Sequence, residues 1–216
     1  MSERLILPAR RSKSFSRRGV LVGGAIAGVS SALGLSALTA SPSYAAKGKG
    51  DAAILNNALF FEHQAIWAYS FAAGKLSDTE VGRAVKALAL RNQADHKAHR
   101  DALAKAVQSL GVKPVAAESS YDVSSYIQRG EGNVDSDVNI AKLALALEID
   151  AAIAYTTEVA QLKTPALITA GASIGSNESA HATAIRAAFV SLGVNIPYVP
   201  SSFISAENRS AWILKV

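Results

Sequence analysis

The 216-residue chain has no cysteine and a formal charge of +5, which excludes disulfides, thiolate metal sites and cysteine nucleophiles. The positive excess is local, because residues 1–45 hold six Lys or Arg and one Glu, leaving 16 basic and 16 acidic residues beyond them. That neutral remainder shows no basic face or aromatic-interleaved basic stripe, which argues against a nucleic-acid partner; its length suits one domain with a substantial core.

Residues 1–45 read as an export signal. Ser16, Arg17 and Arg18 precede the diluted apolar run GVLVGGAIAGVSSALGLSALTA, and Ser43 and Ala45 offer small residues for cleavage before Ala46. The stretch SRRGVLV resembles the twin-arginine signal, with Val20 where Phe is usual. The resemblance implies a partner in the export machinery and delivery of the folded chain to the periplasm or beyond. An ordinary secretory signal and an uncleaved anchor are the other readings, since a run of about 22 residues just spans a bilayer.

Four segments of helical period follow. The first spans about Ala52–Ala73, with Asp51 as its N-cap and Gly74 as its C-cap. The second begins at the capping-box pattern of Ser77 and Glu80 and ends at Gly111. The third follows Asp135 to Asp137 and reaches about Lys163; the fourth opens with Thr164 as cap and Pro165 at the first helical position, and closes at Gly193. Short turns join one to two and three to four, so each pair is expected to be an antiparallel hairpin. Roughly 25 residues between the pairs imply a crossover along the bundle. The fold class expected is therefore all-α, a four-helix bundle over residues 46–196 with a long crossover between helices 2 and 3. A tail over residues 197–216 would pack Trp212 on the bundle.

The two halves repeat each other. HKAHRDALAKAVQSLGV, from His96, matches ESAHATAIRAAFVSLGV, from Glu178, at eight of 17 positions, so His99 falls on His181. EHQAIWAY, from Glu62, likewise parallels EIDAAIAY, from Glu148, each opening on an acid and closing on a tyrosine. Steps of three and four residues place Glu62, Glu148, the His96/His99 pair and the Glu178/His181 pair on the apolar seams of the four helices. Isolated carboxylates cost several kcal/mol or more in a dry core unless neutralised, paired or metal-bound. The three-residue spacing lets two side chains approach one ion.

One acid from each of two helices, with Glu-x-x-His or a variant from each of the others, resembles the ligand scheme of the ferritin-like di-metal carboxylate proteins. The opening DAAILNNALFFEHQAIWAY is similar to exported bacterial ferritin-like domains and their desiccation-related relatives in plants. The resemblance implies a ferritin-like bundle and one or two ions of iron or manganese. Glu62 and His99 would hold one ion, Glu148 and His181 the other, and Glu178 would bridge. His96 departs from the scheme, standing where a second bridging Glu is expected. Two divalent ions would then face three carboxylates, leaving about +1 of charge.

Some neighbours have plainer readings. Tyr69 and Tyr155 read as core tyrosines, Asp95 as a solvated flank residue and His63 as surface or partner-facing, while Asn92 reads equally as core or as support for the site. Two functions follow from the resemblance. One is an exported oxidoreductase or ferroxidase reacting with oxygen or peroxide; the other is a non-catalytic stress-protective or binding protein with a structural metal or none.

Overall fold

The computed structural model describes residues 48–216; the export reading of residues 1–45 lies outside them. Four long helices make the body: α1 (Gly48–Ala73), α2 (Glu80–Ser109), α4 (Asp137–Val159) and α5 (Pro165–Ser191). The short α3 (Ser124–Gln128) lies in the crossover and α6 (Arg209–Trp212) in the tail. α1 packs along α2 and α4 along α5, and the two hairpins meet through α1 against α4 and α2 against α5. Among the described residues no helix is long and apolar enough to cross a membrane.

Side-chain pairs set the directions. Glu62 bonds Tyr155 while Tyr69 bonds Glu148, so α1 and α4 run antiparallel. The crossover must therefore return the chain to the end of the bundle where α1 stops. It does so alongside α1: Asn56 exchanges hydrogen bonds with Lys113 and Val115, and His63 bonds the Val115 carbonyl. Tyr121 is buried, with its ring against Phe60 and Trp67. His63 thus faces the crossover rather than open surface. α4 then starts beside the α1–α2 turn, where Asp137 accepts from the Ser77 backbone and hydroxyl at 2.8 and 2.5 Å.

Helix ends follow local chemistry, with corrections to the sequence reading. Thr79, not Ser77, caps α2 by accepting from the Gly82 amide, and Ser136 caps α4 by accepting from Asn139. Ser77 is instead engaged with Thr79 and Asp137, so no capping box forms. Pro165 does open α5, but the Thr164 side chain makes no cap bond. Asp51 lies inside the first turn of α1, and its buried carboxylate accepts from the amides of Lys163 and Thr164 at 2.9 and 3.0 Å. It caps the neighbouring turn, not its own helix. The two SLGV segments end α2 and α5 identically: Gly111 and Gly193 adopt φ of +74° and +89°, and the next amide reaches back to Val107 or Phe189. Gly74 is not among the positive-φ glycines.

Two apolar clusters occupy the ends of the bundle. One centres on Leu55, Leu59, Leu103, Val107 and Leu167, the other on Leu145, Ile149, Ile185, Phe189 and Trp212. A buried polar layer separates them. As expected, Trp212 packs into the second cluster. The tail is further held by buried Arg186, which donates to the carbonyls of Pro197 and Trp212. Arg209 makes a two-pronged contact with buried Glu131 at 2.8 and 2.7 Å and also pairs with Asp150.

Replacing Asp51 by Ala leaves two amides at the α4–α5 turn without their acceptor. Asp51→Ala should lose about 2–3 kcal/mol in urea unfolding, and Asp51→Asn less; a loss near zero for Asp51→Ala contradicts this capping role.

Candidate metal centre

All six candidate residues converge on the polar layer. Glu62, Glu148, Glu178, His96 and His181 are each at most 4% exposed, and the His99 side chain is 13% exposed. Among the described residues two quartets offer ligand atoms within 4.8 Å of one another: Glu62, His96, His99 and Glu178, and His96, Glu148, Glu178 and His181. They share His96 and Glu178. The cluster is able to hold one ion or two.

His96 sits at the pivot. Its Nδ1 lies 2.8 Å from Glu62 and its Nε2 3.3 Å from Glu148, so one ring touches acids from both hairpins. His99 Nδ1 lies 3.0 Å from Glu178 and 3.5 Å from Glu62. His181 Nδ1 lies 3.2 Å from Glu148 and 3.4 Å from Glu178. Proximity is not hydrogen bonding here: both Glu178 oxygens and His99 Nδ1 are buried without a hydrogen-bond partner. Unsatisfied buried acceptors cost about 1–3 kcal/mol each, more when charged. Atoms 3.0 Å apart that do not point at each other suit side chains aimed at a common third point. The donor set of carboxylate oxygen and imidazole nitrogen matches iron, manganese or zinc chemistry.

Four neighbours support the six, and three of them depart from the plainer readings. Tyr155 donates to Glu62 at 2.5 Å and Tyr69 donates to Glu148, so neither is merely a satisfied core tyrosine. Each acid is held by the tyrosine of the other repeat. Asn92 donates to the Tyr69 hydroxyl at 3.1 Å. Asp95 is not a free flank residue: it accepts from His181 Nε2 at 3.1 Å and pairs with Arg91. That bond leaves Nδ1 of His181 facing the interior, the arrangement by which a carboxylate orients a ligating imidazole. The close approach of α5 to Tyr155 needs Gly175, where a Cβ would fall 2.9 Å from the tyrosine Cβ.

Without a metal, three acids and three imidazoles neutralise one another. Burial opposes ionisation of Glu62, but the His96 hydrogen bond and the charges of His96 and His99 prevail and hold its pKa at about 2. Burial likewise opposes ionisation of Glu148, yet His96 and His181 keep it well below the carboxylate range. Burial and the Glu148 charge push Glu178 up. Burial would lower the imidazoles, but the acids raise His99 to about 9, His181 to about 10 and His96 well above its ordinary value.

These shifts set two windows. The depressed acid contributes stability above its unfolded pKa of 4.5, lost as pH falls through about 2. The raised imidazoles contribute stability below 6.5, lost as pH rises through about 9 and 10. Metal-free protein should therefore be most stable between the two, with metal flattening the alkaline fall because bound imidazoles no longer carry those protons. Thermal melts of metal-free protein that are level from pH 6 to 10 contradict this charge pattern.

Comparison with known proteins agrees with the fold. The ferritin-like domain description matches residues 50–191. The crystal structure of a conserved hypothetical protein, rv2844, from Mycobacterium tuberculosis is similar at 24% identity with a TM-score of 0.56, covering 73% of this chain and 99% of that one. That likeness extends to the fold alone. No curated protein matches the chain. With two thirds of its length matched and its buried Glu/His layer in place, the chain belongs to the ferritin-like domain family.

Proposed function

We propose that this protein is an exported, metal-dependent oxidoreductase whose centre takes one or two ions of iron or manganese. In the two-ion form Glu62 and His99 would hold one ion, Glu148 and His181 the other, Glu178 would be shared, and His96, with one lone pair when neutral, would offer a nitrogen to one of them. The observation that carries the proposal is the pair of Glu178 oxygens, fully buried and without hydrogen bonds between His99 and His181. Iron or manganese held there would supply open coordination positions at which oxygen or peroxide is reduced, with Fe(II) itself a reductant in a ferroxidase reaction.

The chain's own residues supply order and dryness. Tyr69 and Tyr155 hold the acids of the opposite repeat, fixing which oxygen faces inward. Asp95 holds the tautomer of His181. The apolar clusters above and below the layer limit the access of water from the two ends of the bundle.

A non-catalytic binding or stress-protective role is the second reading, and His96 is the observation that favours it. Both its nitrogens already meet acids, so three imidazoles and three carboxylates can close a network without an ion. Export by the twin-arginine route rests on Arg17 and Arg18 and suits loading of metal before the chain leaves the cytoplasm.

Calorimetric titration of metal-free protein with Fe(II), under nitrogen, and with Mn(II) should give one to two ions per chain with release of protons. Fe(II) loading should be followed by oxygen uptake. Asp95→Ala should weaken binding by about 10–100-fold, and Glu178→Ala by more. Absence of binding for both metals overturns the metal reading; binding without oxygen or peroxide consumption selects the non-catalytic one. Lys at both Arg17 and Arg18 should retain the chain in the cytoplasm, and unimpaired export contradicts the twin-arginine route.

A further inference from the structure

The polar layer has two unlike sides. Toward α2 and α5 it nears solvent through polar groups, with the His99 and Asp95 side chains 13% and 23% exposed. Toward α1 and α4 it forms the floor of a cavity of about 260 Å³. The floor consists of Glu62, His96 and Glu148 with the rings of Tyr69 and Tyr155. The walls are Ala65, Ala68 and Ala72 of α1 and Ala144, Ala151 and Ala154 of α4, at steps of three, four or seven residues along each helix. Small side chains on both facing stripes leave the gap between α1 and α4 unfilled. Val123, Tyr126 and Val134 of the crossover cover one flank, and the half-exposed Phe61 and Phe71 stand at the rim.

We infer that this cavity is a binding site for a small, uncharged, apolar organic molecule, held against the Glu62–His96–Glu148 floor as substrate. Three observations select that class. The lining is almost wholly carbon. No lysine or arginine lines the cavity, so an anionic ligand would find no counter-charge; of the carboxylates above the floor, Asp150 is matched by Arg209 and Tyr126, and Glu158 accepts from the Asn57 amide while burial pushes its pKa up, toward the neutral form. The volume is far more than dioxygen or peroxide occupies; since a dry cavity of about 150 Å³ holds benzene, this one holds about ten carbon atoms. A helix or a second copy of the chain laid across the rim would leave that depth empty, at a cost that grows with void volume.

The inference rests on the metal reading for its chemistry but is tested apart from it. Naphthalene, with ten carbons and no charge, serves as probe on the full chain, metal-free and Mn(II)-loaded, by calorimetry with metal content measured on the same samples. One saturable site per chain is expected. Ala151→Leu and Ala68→Leu, which fill the cavity from opposite walls, should each weaken it about tenfold or more while Mn(II) stoichiometry is unchanged; having both guards against one variant folding poorly, which circular dichroism reports. Bound Mn(II) should broaden the naphthalene proton resonances, placing the probe beside the layer. Metal binding without saturable naphthalene binding, affinity untouched in both folded variants, or a concentration-dependent dimer that abolishes probe binding each overturns the inference and leaves the metal reading standing. Naphthalene bound by a chain that takes no metal supports the site and overturns the metal reading instead.

Discussion

Three carboxylates from three helices share a dry interior, and the rest of the structure answers that constraint. Glu62, Glu148 and Glu178 are each at most 2% exposed, and none could remain ionised there alone. Each is met by imidazole: Glu62 by His96 and His99, Glu148 by His96 and His181, and Glu178 by all three. Meeting requires four helices with their polar turns at one level. The crossover secures that level by returning the chain so that α1 and α4 run antiparallel. Only then does the tyrosine seven residues after each acid face the other acid.

Much of this was legible because the sequence repeats itself and because seam positions are a matter of period. The six clustered residues follow from the step of three and four, and the level of the layer from the alignment of His99 with His181. What the period cannot state is register between helices. Tyr69 and Tyr155 were visible on their seams, yet which acid each would touch depends on antiparallel pairing across hairpins. The duplicated spacing of acid and tyrosine was the available signal. Asp95 escapes the period for a different reason: it leaves the α2 seam by one position, and only the neighbouring α5 tells whether that edge faces water or His181. Asp51 shows the same limit at a helix end, because a carboxylate suited to cap its own helix instead caps a turn more than a hundred residues away. The alanine stripes of α1 and α4 read as ordinary helix-forming sequence, and a cavity appears only when two such stripes face each other.

The layer's two sides give the bundle a direction that neither repeat has by itself. Polar groups of α2 and α5 approach the surface near His99 and Asp95, whereas α1 and α4 present carbon. The repeats are therefore not equivalent in use. His96 and Glu178 occupy matching places, but one is a ring that meets acids at both nitrogens and the other a carboxylate with both oxygens unpartnered. That difference replaces one of four acids by a base and allows the metal-free layer to neutralise itself. It also predicts weaker hold on a second ion than on the first.

The central claim is that these side chains are aimed at ions rather than at one another. Anomalous-scattering maps of crystals of Mn(II)-loaded protein test it most directly. A peak within the Glu62–His96–His99–Glu178 quartet, or within the His96–Glu148–Glu178–His181 quartet, or in both, is the predicted result. A map without a peak in the layer, with Glu178 hydrogen-bonded to His99 and His181, would contradict it.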